Sequence, residues 1–157
     1  MTSEENYLQN MINQILLEKN KNDLIGFTNG CFDLLHKGHE YILKESKKNC
    51  DFLIVGINSD SSVKELKGKN RPIENEEERI RNLESLGFVD KVVVFTELTP
   101  LDLIKTIKPD VLIKGSDYSE DKIVGSDFIK SYGGKVVIID LLEGYSTTNI
   151  INKRDLI

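Results

Sequence analysis

Histidine and cysteine are scarce in this 157-residue chain, with two of each. Cys31 and Cys50 have neither metal-ligand nor C-x-x-C redox spacing, and with only two histidines they give no structural zinc pattern. Both cysteines are expected to be reduced, Cys31 in a place where a small residue would serve. An excess of positive charge is also missing. Lys and Arg number 21 against 26 Asp and Glu, a formal net charge of -5, which excludes a general affinity for nucleic acid backbones. No apolar run is long enough to span a membrane, and no signal-peptide core stands at the start. The expectation is a soluble cytoplasmic protein. There is no G-x-G-x-x-G, so a dinucleotide redox cofactor is not expected. Internal repeats and low-complexity linkers are absent, and the length fits one domain. With 39% hydrophobic residues the chain can bury a core with helices around a sheet. Residues 1–23 read as an N-terminal helical extension and 24–157 as the domain.

What is present gathers at one place. Both histidines fall in Thr28-Asn29-Gly30-Cys31-Phe32-Asp33-Leu34-Leu35-His36-Lys37-Gly38-His39. The stretch follows an apolar run, Leu24 to Phe27, that reads as a buried strand. It precedes a helical pattern from Glu40 to about Asn49. A strand-to-helix junction gathers backbone N–H groups and the positive end of a helix dipole, both suited to phosphate. His36 and His39 are three apart and can face one side of a first helical turn. Gly38 lets a ligand approach the backbone closely. The pattern G-x-F-D-x-x-H-x-G-H is far more specific than a pair of surface histidines at a helix start.

The rest of the chain alternates helices and strands. Residues 3–19 predict an amphipathic helix through Leu8, Met11, Ile12, Ile15 and Leu16, with Ser3 as cap, packing on the domain or on a second subunit. Phe52 to Ile57 is a second strand, apolar throughout, as suits a parallel strand covered on both faces. Val63 to Arg71 carries Lys64, Lys67, Lys69 and Arg71, the densest basic segment. Gly68, Asn70 and Pro72 make it read as a loop, either a solvated basic face or an anion-binding loop. Asn75 caps a helix to Leu86, with Glu76, Glu77 and Glu78 in its first turn. Lys91 to Phe95 is the third strand. Thr99-Pro100 starts a helix with Thr99 as cap. Asp110 to Ile113 is the fourth strand, Asp127 to Tyr132 a short helix, Lys135 to Asp140 the fifth strand, and a last helix runs from about Asn149. The expected fold is α/β, a Rossmann-like doubly wound parallel five-stranded sheet with helices on both faces.

In such a sheet ligands bind at the carboxyl ends of the strands. Four polar segments fall there: Asn29 to His39, Asn58-Ser59-Asp60, Lys114-Gly115-Ser116-Asp117-Tyr118 and Ser146-Thr147-Thr148. The last offers hydroxyls and N–H groups at a helix start, for capping or for phosphate. Lys114 to Tyr118 reads either as a plain turn or as a flank for a nucleobase. Asp33 reads as a structural or metal-orienting carboxylate rather than a base.

On Gly30, Phe32, Asp33, His36, Gly38 and His39 the chain resembles the HxGH nucleotidyltransferases, a cytidylyltransferase-like superfamily. Asn58-Ser59-Asp60, Leu66-Lys67-Gly68, Arg71-Pro72, Lys114 to Tyr118 and Gly144 to Ile151 extend the likeness, over about residues 24–153, to the adenylyltransferase domains of ADP-heptose synthases. The resemblance implies adenylyl transfer from ATP to D-glycero-β-D-manno-heptose 1-phosphate, giving ADP-heptose and pyrophosphate. It implies that His36 and His39 bind the triphosphate and stabilise charge on the α-phosphate, and that Lys67, matching a mobile-loop lysine, neutralises phosphate charge. Arg79 would hold phosphate, Ser146, Thr147 and Thr148 would receive the β- and γ-phosphates, and Asp117 and its neighbours Lys114 and Gly115 would lie by the nucleobase. Asn29, Gly30, Phe32, Asp33 and Gly38 complete the nucleotide set, and Asp60, Lys69 and Arg71 are assigned to the sugar phosphate. No protein metal ligands are expected; magnesium would bind largely through the phosphates. A separate sugar kinase would supply the sugar 1-phosphate, and a homodimer is expected.

The glycerol-3-phosphate cytidylyltransferase branch carries an arginine three residues before the Gly of its G-I-S-T-T motif, where this chain has Leu141. That departure favours the heptose-type branch, and it leaves one triphosphate contact without a named donor, for which Lys69 is a candidate. The alternatives are that CTP-dependent enzyme and a nucleotide-binding regulator without turnover.

Overall fold

A computed structural model describes residues 2–117 and 119–141, with Asp121 described by its backbone alone. In chain order it contains helix α1 (Ser3–Glu18), strand β1 (Ile25–Gly30), α2 (Lys37–Lys47), β2 (Phe52–Asn58), α3 (Asp60–Lys67), α4 (Glu76–Glu84), β3 (Lys91–Phe95), α5 (Leu101–Ile107), β4 (Val111–Gly115), a 3-10 turn (Glu120–Lys122), α6 (Ser126–Ser131) and β5 (Lys135–Ile139). The strands form one five-stranded parallel sheet in the order β3-β2-β1-β4-β5.

Alternation along β2 builds the two layers. All seven of its residues are buried. Phe52 and Ile54 point into one core with Phe27, Leu103, Ile104, Leu112 and Ile129; Leu53, Val55 and Ile57 point into the other with Leu43, Leu83, Val111 and Ile113. Successive strand side chains face opposite ways, so an apolar run needs helices on both sides. Helices α1, α5 and α6 cover the first face and α2 and α4 the second. Helix α1 joins the first core through Ile15, 3% exposed, with Leu8 and Met11 packed beside it.

The sheet runs from β1 outward through β2 to β3, and then resumes on the other side with β4 and β5. The switch point therefore lies between β1 and β4, where open α/β sheets bind ligands. Here the two strands part early. β1 pairs with β2 through Gly30, but with β4 only at Gly26 and Phe27. Beyond Phe27 and Leu112 a crevice opens toward the carboxyl ends.

Several local expectations are corrected. Helix α1 is capped by Thr2, not Ser3: Thr2 accepts from the Glu5 N–H at 3.1 Å, and Glu5 accepts from the Thr2 N–H at 2.7 Å. The T-x-x-E spacing closes a capping box from Thr2, whereas Asn6 stands three residues after Ser3. Strand β1 continues through Asn29 and Gly30, and α2 begins at Lys37 rather than Glu40. The segment expected as a basic loop is mostly helix. Ser59 accepts from the Ser62 N–H at 3.2 Å, and Gly68 at φ 105 ends α3, a conformation that favours glycine. Pro100, not Thr99, is the N-cap of α5, without a side-chain cap bond. Strand β4 extends to Gly115. No helix among the described residues is long and apolar enough to cross a membrane.

Candidate active site

The crevice at the switch point is a cleft of about 520 Å³. Asn29, Gly30, Cys31 and Phe32 form its floor from the end of β1, Lys114, Gly115 and Asp117 one wall, and His39, Asn58 and Lys67 the other. Leu66, Leu98, Val124 and Leu141 rim it, and all four are exposed large apolar side chains. An exposed apolar group gathered around a polar floor marks a binding surface.

The histidines sit where the sequence places them, and the structure adds their chemistry. His36 is the N-cap of α2. Its Nδ1 accepts from the backbone N–H of Gly38 at 3.1 Å and of His39 at 3.3 Å. His39 Nδ1 accepts in return from the His36 N–H at 3.3 Å. An imidazole nitrogen that accepts a hydrogen bond carries no proton, so the proton of each neutral ring is on Nε2. The rings stack with centroids 3.6 Å apart, and Phe32 meets His39 edge-on at 5.2 Å. Burial, then the neighbouring charges of His36 and Lys67, push His39 down to about 3, with Asp33 opposing; burial lowers His36 as well. Both rings are neutral donors at neutral pH.

A pH effect on stability follows. Above the ordinary histidine value of 6.5 His39 is neutral both folded and unfolded, and contributes nothing to the pH slope. Below 6.5 the unfolded chain takes up a proton that the fold refuses until about 3. Stability is therefore lost as pH falls through that window. Urea unfolding is expected to show a loss of about 1–2 kcal/mol between pH 7 and pH 5, reduced in His39→Asn. An equal pH slope in both proteins would contradict the buried, neutral ring.

Lys114 lies in the crevice, with Nζ donating to the Asn29 carbonyl at 3.1 Å. Burial pulls it to about 8, while Asp117 and Cys31 act to raise it. Bound anionic charge would restore its full cation. Cys31 also lines the cleft. Its burial outweighs the attraction of Lys67, Arg79 and Arg71 and raises its pKa, so it is a thiol and not a nucleophile at neutral pH.

The remaining residues singled out from sequence divide. Lys67 is an exposed side chain on the last turn of α3, at the cleft mouth. Asp33 lies behind the floor, 1% exposed, and binds Arg71 Nε at 3.0 Å and the N–H groups of Ile73 and Glu74 at 2.8 and 2.9 Å. Burial would raise it; the two N–H groups and Arg71 outweigh that and hold it below the usual carboxylate range. Arg79 is 0% exposed and also lies outside the cleft lining. It donates to the carbonyls of Glu74, Cys31 and Asn58 at 3.1, 2.9 and 2.7 Å and to Asp60 Oδ1 at 2.7 Å. Gly38, Asp60, Lys69 and Arg71 likewise do not line the cleft, and Lys69 is exposed. Tyr118, Ser146, Thr147 and Thr148, with the last expected helix, lie outside the described residues. Sequence reasoning named Leu66 and Leu141 only in comparison with a family pattern and missed Leu98, Val124 and Lys122, which stand on connections after strand ends and whose signal was that position.

A family model described as cytidylyltransferase-like matches residues 27–153. The bifunctional protein HldE of Paramagnetospirillum magneticum is 56% identical over 135 residues, 86% of this chain and 28% of that protein. Its namesake from Campylobacter fetus subsp. fetus is 58% identical over 127 residues, 81% of this chain and 27% of that one. The chain thus spans little more than a quarter of the length of these relatives. A crystal structure of the lipopolysaccharide core biosynthesis protein from Thermoplasma volcanium aligns with a TM-score of 0.65 at 29% identity, covering 80% of this chain and 100% of that one. Pantoate-beta-alanine ligase from Francisella tularensis, at 18% identity and a TM-score of 0.62 over 95% of this chain and 75% of that one, shares the fold.

Proposed function

Because the chain belongs to the cytidylyltransferase-like family, we propose that it transfers the adenylyl group of ATP to D-glycero-β-D-manno-heptose 1-phosphate. A phosphate oxygen of the sugar phosphate attacks the α-phosphorus, the bond from that phosphorus to the bridging oxygen of the β-phosphate breaks, and pyrophosphate leaves. The single observation that carries this reading is the pair of stacked histidines with their protons on Nε2, at the end of β1 and the start of α2. The attacking oxygen is already an anion at neutral pH, so the reaction asks for no general base. A histidine held near 3 is a poor base and a fixed donor. His39 Nε2–H, His36 behind it and the α2 N-terminus then stabilise charge on the reacting phosphate. Lys67 and Lys114 supply positive charge from opposite walls, and Asp117 with its wall takes the nucleobase. Ser146, Thr147 and Thr148 are assigned to the β- and γ-phosphates by resemblance. In this reading Asp33 and Arg79 act on the ligand indirectly, by shaping the turn and the end of β2.

Support for the sugar phosphate comes from the relatives, HldE proteins at 50–58% identity and a lipopolysaccharide core biosynthesis protein. Magnesium is assigned to the oxygens of the triphosphate, where this ion is commonly held in ATP-dependent transfer. A sugar 1-phosphate requires a sugar kinase upstream. The exposed Leu16 and Leu17 on α1, at 59% and 86%, favour a homodimer, and the cytoplasm is the compartment that supplies ATP.

Pyrophosphate release with magnesium tests the reading, with ATP, CTP, GTP and UTP each paired with heptose 1-phosphate and with glycerol 3-phosphate. Release is expected with ATP and the heptose phosphate. Release with CTP and glycerol 3-phosphate would move the chain to the other branch. Nucleotide binding without release in any pairing would point to the regulator.

A further inference from the structure

We propose that Glu74, which lies outside the cleft and outside the histidine motif, is the positioning residue that holds the histidine turn in its working geometry. The role in turnover rests on the adenylyl-transfer reading; the structural role does not. Every polar group of Glu74 is engaged with the turn or with what braces it. Its N–H donates to Asp33 Oδ1 at 2.9 Å and its carbonyl accepts from Arg79 Nε at 3.1 Å. Its Oε1 accepts from the Leu34 N–H at 2.9 Å, across 40 residues of sequence, and its Oε2 accepts from Asn82 Nδ2 at 3.0 Å.

The residue it holds is strained. Phe32 and Leu34 stand at φ 50 and φ 53, the left-handed region, on either side of the buried Asp33. Bulky L-residues occupy that region only where surrounding contacts over-determine the backbone. Asp33 supplies one set of those contacts by binding the 71–74 segment. Glu74 supplies the reciprocal one, binding back to the Leu34 N–H. Leu34 lies two residues before His36, whose Nδ1 must meet the Gly38 and His39 N–H groups for the two rings to stack. Asn82, from α4, fixes the Glu74 carboxylate. Without that carboxylate Leu34 relaxes toward ordinary backbone, and the error is passed directly to His36 and through the stacked pair to His39. Misplacement of reacting groups by about 1 Å costs on the order of 10²-fold in rate.

The chain has only two histidines, so their NMR signals report on this turn alone. The experiment compares wild type, Glu74→Ala and Glu74→Gln by long-range 15N–1H spectra of the rings without nucleotide, and by kcat and KM. Wild type is expected to show two Nε2–H rings. Glu74→Ala should show mixed tautomers and a His39 midpoint moved up by at least one pH unit. Its kcat should fall about 10–100-fold, with the KM for ATP changed less than about threefold. Glu74→Gln should stay within about threefold of wild type, because its amide oxygen still accepts from Leu34 and the Asn82 amide can turn over to face the new NH2. A folded Glu74→Ala with wild-type ring spectra overturns the proposal, as does an equal loss in Glu74→Gln. If Glu74→Ala does not fold, Asn82→Ala, which loosens the carboxylate at one bond, carries the same test with a smaller shift, and unchanged rings there overturn it. A wild-type protein silent with ATP and sugar phosphate would refute the functional reading and leave the spectral result standing.

Discussion

Replacing His39 with alanine is expected to lower turnover by about 10²–10³-fold, while nucleotide affinity changes by less than about fivefold. The ring has two jobs on two nitrogens. Nδ1 accepts from the His36 N–H and so belongs to the fold. Nε2–H is the donor that remains for a reacting phosphate. A donor aimed at charge that develops in the transition state acts on rate more than on binding, since the ground state carries less of that charge. The two jobs separate in His39→Asn, whose amide oxygen stands close to the place of Nδ1 and keeps the contact with His36, but which has no group at the place of Nε2. It should be as slow as the alanine variant and more stable. Steady-state pyrophosphate release and calorimetric nucleotide titration read the two effects. A His39→Asn protein with wild-type turnover would remove the donor from the mechanism.

The largest effect on stability is expected at Arg79. Arg79→Met should lower the unfolding free energy by about 3–5 kcal/mol, read by urea denaturation at pH 7. The side chain is 0% exposed and bonds four acceptors on three separate segments: Cys31 at the histidine turn, Asn58 and Asp60 at the junction of β2 and α3, and Glu74 just before α4. Methionine fills much of the volume but leaves the three carbonyls without their donor in a place that water reaches poorly, and it takes the partner from the Asp60 carboxylate, which stays 37% exposed. Lysine should recover little, because one ammonium cannot reproduce a planar fork aimed at four sites. Loss of less than about 1 kcal/mol would mean that Arg79 behaves as a surface cation.

The same residue shows what a sequence reading can and cannot reach. The strands were legible because Phe52 to Ile57 and Val92 to Phe95 are apolar without a break, and a parallel sheet covered on both faces needs that. The histidine turn was legible because two scarce residues share it with Gly, Phe and Asp at fixed spacing. Arg79 was assigned to phosphate by resemblance alone, since an arginine beside three glutamates on a helix carries no sign of burial; only the fold shows the carbonyls that surround it. Helix α3 was hidden by its own lysines and by Gly68, read as loop signals when Ser59 and Gly68 are its start and stop. The start of α2 was hidden too, since Gly38 was read as an opening for a ligand but sits in the first turn, where a histidine cap satisfies its N–H. Glu74 could not be found at all. Its partner Leu34 is distant in sequence, and the strain that makes the contact matter is a property of the folded backbone.

These residues form one connected device. Arg79 ties the end of β2 to the segment before α4, Asp33 and Glu74 tie that segment back to the turn, and the turn presents His39 to the cleft with His36 stacked behind it. The central claim is that the cleft moves an adenylyl group. The most direct measurement is a pair of reactions with heptose 1-phosphate and magnesium, one with ATP labelled at the α-phosphate and one with ATP labelled at the γ-phosphate. The account predicts that the α-label enters a sugar nucleotide and the γ-label leaves as pyrophosphate, both lost in His39→Asn. Transfer of the γ-label to the sugar, or no movement of either label, would contradict it.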